Sequence, residues 1–250
     1  MVEILILSLI QGFTEFLPIS SSSHLIIIGK ITKFDYANIF LDISLHIGSF
    51  LAVLIYFRKY ILEFIKSRKT LYLILIASLP ILTFGFLIIS FNLIENFRSI
   101  QIIAWMTIIF GILLFISDRF KTSKKLKKDF NLKSAIIIGL IHSLALIPGV
   151  SRSGIAITAA RFLGYERSDS AKISFLISIP TLFMVSIYGI YSLSKKNLLE
   201  LSNINFVSII LSFIFSYFTI KFFLAFLKKF DLKIFVIYRL ILGLLLLLYF

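Results

Sequence analysis

Long apolar stretches alternate with short polar groups along this chain, and six of the stretches are long enough to cross a bilayer. They cover about 39–57, 70–94, 101–117, 173–193, 204–227 and 234–250. Each approaches or exceeds the roughly 20 residues that a helix needs to traverse the hydrocarbon core. Two further apolar regions are broken midway. Residues 4–17 and 25–32 flank Pro18-Ile19-Ser20-Ser21-Ser22-Ser23-His24, and residues 134–147 and 155–163 flank Pro148-Gly149-Val150-Ser151-Arg152-Ser153-Gly154. Their arms are too short to span alone. Non-helical backbone is tolerated at membrane depth only where protein buries it or where it lines a watery cavity. Both regions therefore read as re-entrant helix–loop–helix hairpins.

The two halves of the chain then match, each a broken hairpin followed by three spans. Pro18 and Pro148 are 130 positions apart, as are Ser21 and Ser151, Ser23 and Ser153, and Ser44 and Ser174. Three spans is an odd number, so the second half must be inverted relative to the first. Inverted repeats whose broken helices meet near the midplane mark the binding site in many membrane folds. The expected architecture is an all-α integral membrane protein of six transmembrane helices and two re-entrant hairpins. It forms one membrane domain over residues 1–250, with repeat 1 at about 1–118 and repeat 2 at about 134–250.

Composition agrees with the bilayer as solvent: 59% of the residues are hydrophobic, against roughly 45–50% in soluble domains, and the mean hydropathy is +1.03. The chain has no cysteine, which excludes a disulfide framework and any thiolate metal site. A net charge of +14 would suggest nucleic acid in a soluble protein. Here the basic residues sit between apolar runs, where the positive-inside rule accounts for them. With the first hairpin on the outer side, segments 58–69, 119–133, 161–172 and 228–233 face inward and carry 18 Lys and Arg. The outward segments hold five: Lys30, Lys33, Arg98, Lys195 and Lys196. Lys221 is expected to snorkel to the inner face. The N-terminus does not read as a cleavable signal, because Glu3 stands where a basic region belongs.

Ionisable groups at membrane depth cost at least about 2.5–3.5 kcal/mol each to insert, which marks them as functional candidates. They are Glu15, His24, Asp42, His46, His142, Arg152 and Arg239. Gln11 and Glu15 are four apart and share a helix face. Ser20 to Ser23 offer hydroxyls and backbone amides, and His24 closes their loop. The second loop has the composition of an anion cradle. Gly149 and Gly154 let backbone approach a ligand, the following helix points its amide end at the loop, and Arg152 can fork onto phosphate oxygens. Ser151 and Ser153 add hydroxyls. A carboxylate, an imidazole, hydroxyls and a guanidinium in one buried place are what phosphoryl transfer requires. A divalent cation, Mg²⁺ or Ca²⁺, could be held by Glu15 together with phosphates of the substrate.

The run Gln11-Gly12-Phe13-Thr14-Glu15-Phe16-Leu17-Pro18-Ile19-Ser20-Ser21-Ser22-Ser23-His24-Leu25 resembles the first signature of the undecaprenyl-diphosphatase, or bacitracin-resistance, family. Pro148 to Gly154 resembles the second, and Leu45-His46-Ile47-Gly48 with Ala52 and Ser174-Phe175-Leu176 with Pro180 match in order. The resemblance covers nearly the whole chain. It implies a bacterial inner-membrane enzyme that removes the terminal phosphate of undecaprenyl diphosphate, with a divalent cation and a site facing the periplasmic side. It also implies roles: Glu15 as the metal- and diphosphate-binding carboxylate, His24 and Arg152 as the essential His and Arg, and Ser21 and Ser151 as site hydroxyls. Gln11 stands where the family has Glu or Gln. The attacking group stays open between His24, Ser21 and water. Two positions depart from the pattern. Ala156 replaces a usual Thr, with Thr158 two residues on, and His142 stands where Gln is usual.

Other polar residues carry blander expectations. Asp42 and His46, four apart, are expected to pair with each other or to bridge helices. Arg239 is expected to be structural or to snorkel, and the Lys-rich run 121–133 to be a solvated cytosolic loop. His142 is evenly divided between lining the site and packing. Inverted repeats and broken helices also suit a transporter or flippase of an anionic polyprenyl lipid. Such a carrier needs Arg152, but it does not need a clustered acid and base. The expected partners are undecaprenyl diphosphate and membrane lipid, not nucleic acid, with a homodimer left open.

Overall fold

The computed structural model describes residues 2–32, 39–91, 99–195 and 203–249. These are helical throughout except for turns and one isolated bridge between Lys124 and Tyr165. Of the outward basic residues, Lys33, Arg98 and Lys196 lie outside the described residues.

Four helices are long and apolar enough to cross a membrane. They are α5 (Lys69–Ser90), α6 (Ile100–Asp118), α10 (Arg167–Lys195), whose apolar part is Arg167–Tyr191, and α11 (Asn203–Phe226). The protein is thus a multi-pass membrane protein. The expected span over 39–57 is one helix, and the chain bends sharply where it ends. Here α3 (Ile39–Tyr56) breaks at Phe57 and continues as α4 (Arg58–Ser67), bent by 66°. Phe57 is buried against Phe175 and Tyr60, and the polar Arg58 and Lys59 that follow it are exposed. The chain therefore turns at the end of the apolar run. In α4 it keeps Phe64 inward and its charges outward. The expected span over 234–250 is α12 (Lys233–Tyr249), at 17 residues the shortest of this group.

The two interrupted regions fold as short helix pairs. The first is α1 (Val2–Thr14) and α2 (Ser21–Thr32). The second is α8 (Leu132–His142), a 3₁₀ turn (Ser143–Leu146) and α9 (Arg152–Phe162). Side chains start both helices of the second pair. The Asn131 carbonyl oxygen accepts from Ser134 N–H at 3.0 Å, and Ser151 Oγ accepts from Gly154 N–H at 3.1 Å.

Helix α1 packs on α11, as α3 does, while α8 and α10 both pack on α5; α6 pairs with α12, and α3 with α10. Small residues permit the closest approaches. A Cβ on Gly12 would stand 2.4 Å from Phe215 Cβ. Hydroxyls bind α3 to α11, with Ser49 reaching Ser216 at 3.0 Å and Ser212 donating to Leu45 O at 2.6 Å. The main core is aromatic. Phe16 meets Phe175 edge-on at 5.2 Å, which fixes the turn after Glu15 against α10.

The Lys-rich run is more than a solvated loop. Its lysine side chains are mostly exposed, but its backbone is pinned. Leu126 and Phe130 are buried, Leu126 begins the four-residue helix α7 (Leu126–Asp129), and Leu126 N–H donates to Asp169 at 3.0 Å. Tyr165, fully buried, donates through its hydroxyl to Asp129 O at 2.9 Å. Beside it Asp118 holds Arg161 at 3.3 Å and Arg167 at 2.7 Å and accepts from Leu232 N–H at 3.1 Å. One carboxylate thereby ties the end of α6 to α9, α10 and the approach to α12.

Candidate functional site

Helix α1 ends at Thr14, whose hydroxyl turns back onto Ile10 O at 2.7 Å. Pro18 has no N–H to continue a helix, so residues 15–19 form a turn, and Ser20 enters α2 with φ +73°. That turn points Glu15 into the protein, where the residue is only 7% exposed. Its Oε2 accepts from Ser21 Oγ at 2.6 Å and from Gln11 Nε2 at 3.1 Å. Its Oε1 lies 3.3 Å from an Arg152 amino nitrogen. Arg152 also donates to Thr181 Oγ1 at 3.3 Å and keeps 22% of its side chain exposed. Four residues expected at the site, Gln11, Glu15, Ser21 and Arg152, are thus in one cluster drawn from both loops.

The other expected residues stand around it. His24 is one turn beyond Ser21 on α2, so the two share a face. Its Nδ1 lies 2.6 Å from Ser20 O, and its Nε2 lies 2.5 Å from the Tyr238 hydroxyl, with the two rings stacked at 5.7 Å. A carbonyl only accepts, so Nδ1 carries a proton, and in the neutral ring Nε2 is then the nitrogen that accepts from Tyr238 O–H. Ser20 shares hydrogen bonds with Ser23 at 2.8 Å and Ser22 at 3.4 Å. Ser151, at φ +71°, is spent as the cap of α9, and it touches Ser153 at 3.2 Å. Ser153 donates to Leu17 O at 2.7 Å and so stitches the second loop to the first.

Gly149 has φ +96°, and a Cβ there would lie 2.5 Å from Ile103 O. Both the backbone sterics and the space demand glycine. Gly149→Ala is expected to displace the loop from α6 and lower the thermal midpoint of the purified protein. A wild-type midpoint would refute that account of the loop.

Arg239 was expected to be structural or to snorkel, and it does not snorkel. It is fully buried, and its guanidinium donates to Pro18 O at 3.2 Å in the first loop. In the second it donates to Val150 O at 3.1 Å and Gly149 O at 2.9 Å. Two more bonds reach Thr107 O at 3.1 Å and Met106 O at 3.4 Å on α6. One side chain therefore clasps both loops. Asp42 and His46 do pair with each other: His46 Nδ1 lies 2.9 Å from Asp42 O and 3.6 Å from its carboxylate. Ala156 is fully buried, and Thr158 donates to Gly154 O at 2.8 Å within its own helix, so its hydroxyl does not serve in place of position 156. His142 is completely buried with neither ring nitrogen hydrogen-bonded, and it lies within electrostatic reach of Arg152.

Sequence reasoning did not single out Tyr238 or Thr181. Tyr238 and Arg239 form a polar pair inside an otherwise apolar run, and that pair was the available signal for both. Thr181 follows Pro180 of the last matched stretch and had no polar neighbour in sequence to mark it.

Among the described residues no three His, Asp or Glu side chains converge as a self-sufficient metal cage. The donors present could hold a hard divalent cation only with further ligands from a bound anion. Glu15 is the one carboxylate of the cluster. Beside it the buried Gln11 Oε1, a neutral hard oxygen, makes no hydrogen bond.

The model of the bacitracin resistance protein BacA family matches residues 4–245. The undecaprenyl-diphosphatase of Pelagibacter ubique is 48% identical over 248 residues, covering 98% of this chain and 96% of that protein. The undecaprenyl-diphosphatase of Saccharophagus degradans is 41% identical, covering 95% and 93%. That of Campylobacter curvus is 37% identical, covering 98% and 97%.

Proposed function

We propose, from the premise that this chain belongs to the bacitracin resistance protein BacA family, that it hydrolyses undecaprenyl diphosphate to undecaprenyl phosphate and inorganic phosphate. The observation that carries the reading is the Glu15–Arg152 pair, made across the two loops at 3.3 Å with Ser21 on the same carboxylate.

Arg152 and the amide end of α9 take the non-bridging oxygens of the terminal phosphate and offset the charge that grows there. Ser21 has its proton on Glu15 and its lone pairs free. The attacking oxygen is a water beside Ser21, with Glu15 accepting its proton, or Ser21 Oγ itself, in which case a second water, deprotonated by Glu15, then attacks the Ser21 phosphoester and releases inorganic phosphate with the return of the proton to Ser21 Oγ. The bond from phosphorus to the bridging oxygen breaks, and that oxygen leaves on undecaprenyl phosphate. His24 Nε2, its tautomer set by Ser20 O, exchanges Tyr238 for a proton of the reaction, and Arg239 holds both loops in register. Glu15 and Gln11 Oε1 would hold a Mg²⁺ or Ca²⁺ ion, which when bound supplies further neutralisation of the diphosphate.

The reading includes six spans and two re-entrant hairpins in an inverted repeat. The packing supports it, because α1 on α11 is matched by α8 on α5, and α3 on α11 by α10 on α5. It also includes the bacterial inner membrane, with the site opening to the periplasmic side, supported by the 18 to 5 bias of basic residues. A carrier of anionic polyprenyl lipid would need Arg152 but not the Glu15–Ser21 pair beside His24, and hydrolysis is favoured on that ground.

The test is phosphate release from undecaprenyl diphosphate by purified protein, with Mg²⁺, with Ca²⁺ and with chelator. Wild type should be active only with a cation, and Glu15→Ala and His24→Ala should each fall by at least 100-fold. The absence of release from folded wild type would overturn the reading.

A further inference from the structure

A cavity of about 390 Å³ lies at the basic end of the bundle and has none of the residues of the two loops in its lining. Tyr56 and Tyr60 wall it at the α3–α4 elbow, Ser168 and Lys172 at the start of α10, and Lys221 and Lys228 along and just past α11. The volume is in the range of about 300–1,000 Å³ that holds small ligands. No carboxylate lines it. Lys172 is already paired with Asp169 at 2.6 Å. The ion-paired lysines among the described residues are Lys125, Lys127, Lys172 and Lys233, so Lys221 and Lys228 enter the cavity with their charges uncompensated. The 29-residue α10 begins at Arg167, and the acidic Asp169 of its first turn is already taken by Lys172 and Leu126 N–H, which leaves the amide end at Ser168 to add positive potential to the same wall. An adjoining cavity of about 600 Å³ shares Ser168 and Lys228 and is lined by Arg119, Lys121, Arg161 and Arg167 against the carboxylates Asp118 and Glu166, so it stays basic on balance.

The surroundings of the cavity distinguish a lipid from a soluble anion. Tyr56 and Tyr60 line it together with lysines, and tyrosine with lysine is the chemistry of the bilayer's interfacial layer. Phe218 and Phe222, neighbours of Lys221 in the sequence of α11, are 45% and 63% exposed, and their rings stack at 5.9 Å. Basic pockets between membrane helices take anionic headgroups for the same reason.

We propose that this cavity binds the phosphate headgroup of an anionic lipid, as a second lipid site separate from the Glu15–Arg152 centre. Lys221 and Lys228 hold the phosphate oxygens, the α10 amides assist, and Phe218 and Phe222 carry the adjoining acyl chain. Nothing in this assignment depends on the hydrolysis.

The experiment titrates phosphatidylglycerol into the full chain in phosphatidylcholine nanodiscs and follows the thermal unfolding midpoint. Wild type should show a saturable rise. Lys221→Gln/Lys228→Gln should need at least tenfold more phosphatidylglycerol for the same rise. Lys59→Gln/Lys66→Gln, which removes the same charge from α4, should match wild type. All three should release phosphate from undecaprenyl diphosphate equally in phosphatidylcholine alone. Equal titrations in wild type and the Lys221/Lys228 variant, or equal losses in both double variants, would overturn the site. An equal midpoint rise with inorganic phosphate would overturn the lipid as its ligand.

Discussion

Arg239→Leu should unlock both loops at once and abolish phosphate release. Five backbone carbonyls, from Met106, Thr107, Pro18, Gly149 and Val150, each lose a donor. Met106 and Thr107 keep the helical bonds of α6 and Gly149 O keeps Thr107 Oγ1 at 3.5 Å, so Pro18 O and Val150 O, one in each loop, bear most of the loss. All belong to a region where Arg239 itself has no exposed surface. A buried polar group left without a partner costs about 1–3 kcal/mol. Even partial relaxation would leave a penalty of several kcal/mol, against a total stability of roughly 5–15 kcal/mol. Leucine offers no donor, and no other described cation reaches these oxygens. Arg239→Lys should fall between the two. Its ammonium has three donors on a flexible stem instead of a planar fork of five, so it can serve one loop well but not both. The expected order of thermal midpoints is wild type, then Lys, then Leu, with activity falling by at least 100-fold in Leu. An Arg239→Leu protein that melts and turns over like wild type would show that the loops are held by something else.

The importance of Arg239 was hard to read in the sequence, and the reason is physical. An arginine in the last apolar run can snorkel, cap its own helix or reach across the bundle, and spacing does not choose among these. The choice is made by α12 packing on α6, which carries Arg239 past Thr107 to the two loops. The Glu15 cluster was legible for the opposite reason. Gln11 and Glu15 are fixed four apart on one helix, Pro18 forces the turn, and the serines follow at once, so local geometry nearly determines the site. The end of the span at Phe57 was legible because Arg58 and Lys59 follow it at once, while the helix α4 beyond it reads as a loop in the sequence because its charges hide the inward Phe64. The Lys-rich segment misled by charge. Its lysines do face outward, while Leu126 and Phe130, two apolar residues among them, anchor the backbone. Tyr238 went unread because a tyrosine near the end of a membrane helix ordinarily marks an interface, whereas here its hydroxyl meets His24 from a helix more than 200 positions away.

Arg152→Met should leave less stable protein than the double variant Glu15→Gln/Arg152→Met, although all of them should be inactive. In wild type the Glu15 side chain is 3% exposed and Arg152 22%, so the carboxylate is the more deeply buried partner. Removing only Arg152 leaves that carboxylate buried with two neutral donors, Ser21 and Gln11. Breaking a buried pair from one side costs about 3–5 kcal/mol, because the remaining charge is uncompensated. The remaining donors and the open side of Arg152 place this case at the lower end. Glu15→Gln alone should be milder. Its amide keeps the shape and an acceptor oxygen, and Arg152 retains Thr181 and access to solvent. Converting Glu15 to glutamine in the Arg152→Met background then removes the orphan charge and should recover most of the lost midpoint. Thermal midpoints and phosphate release for the four proteins form a double-mutant cycle. A large coupling in stability, together with activity lost in every variant, would separate the two roles of the pair. It joins the loops as a structural bridge, and it supplies the carboxylate and the guanidinium to the reacting phosphate. Additive losses of stability would mean that the 3.3 Å contact does not hold the loops together, and that Arg152 acts on the phosphate alone.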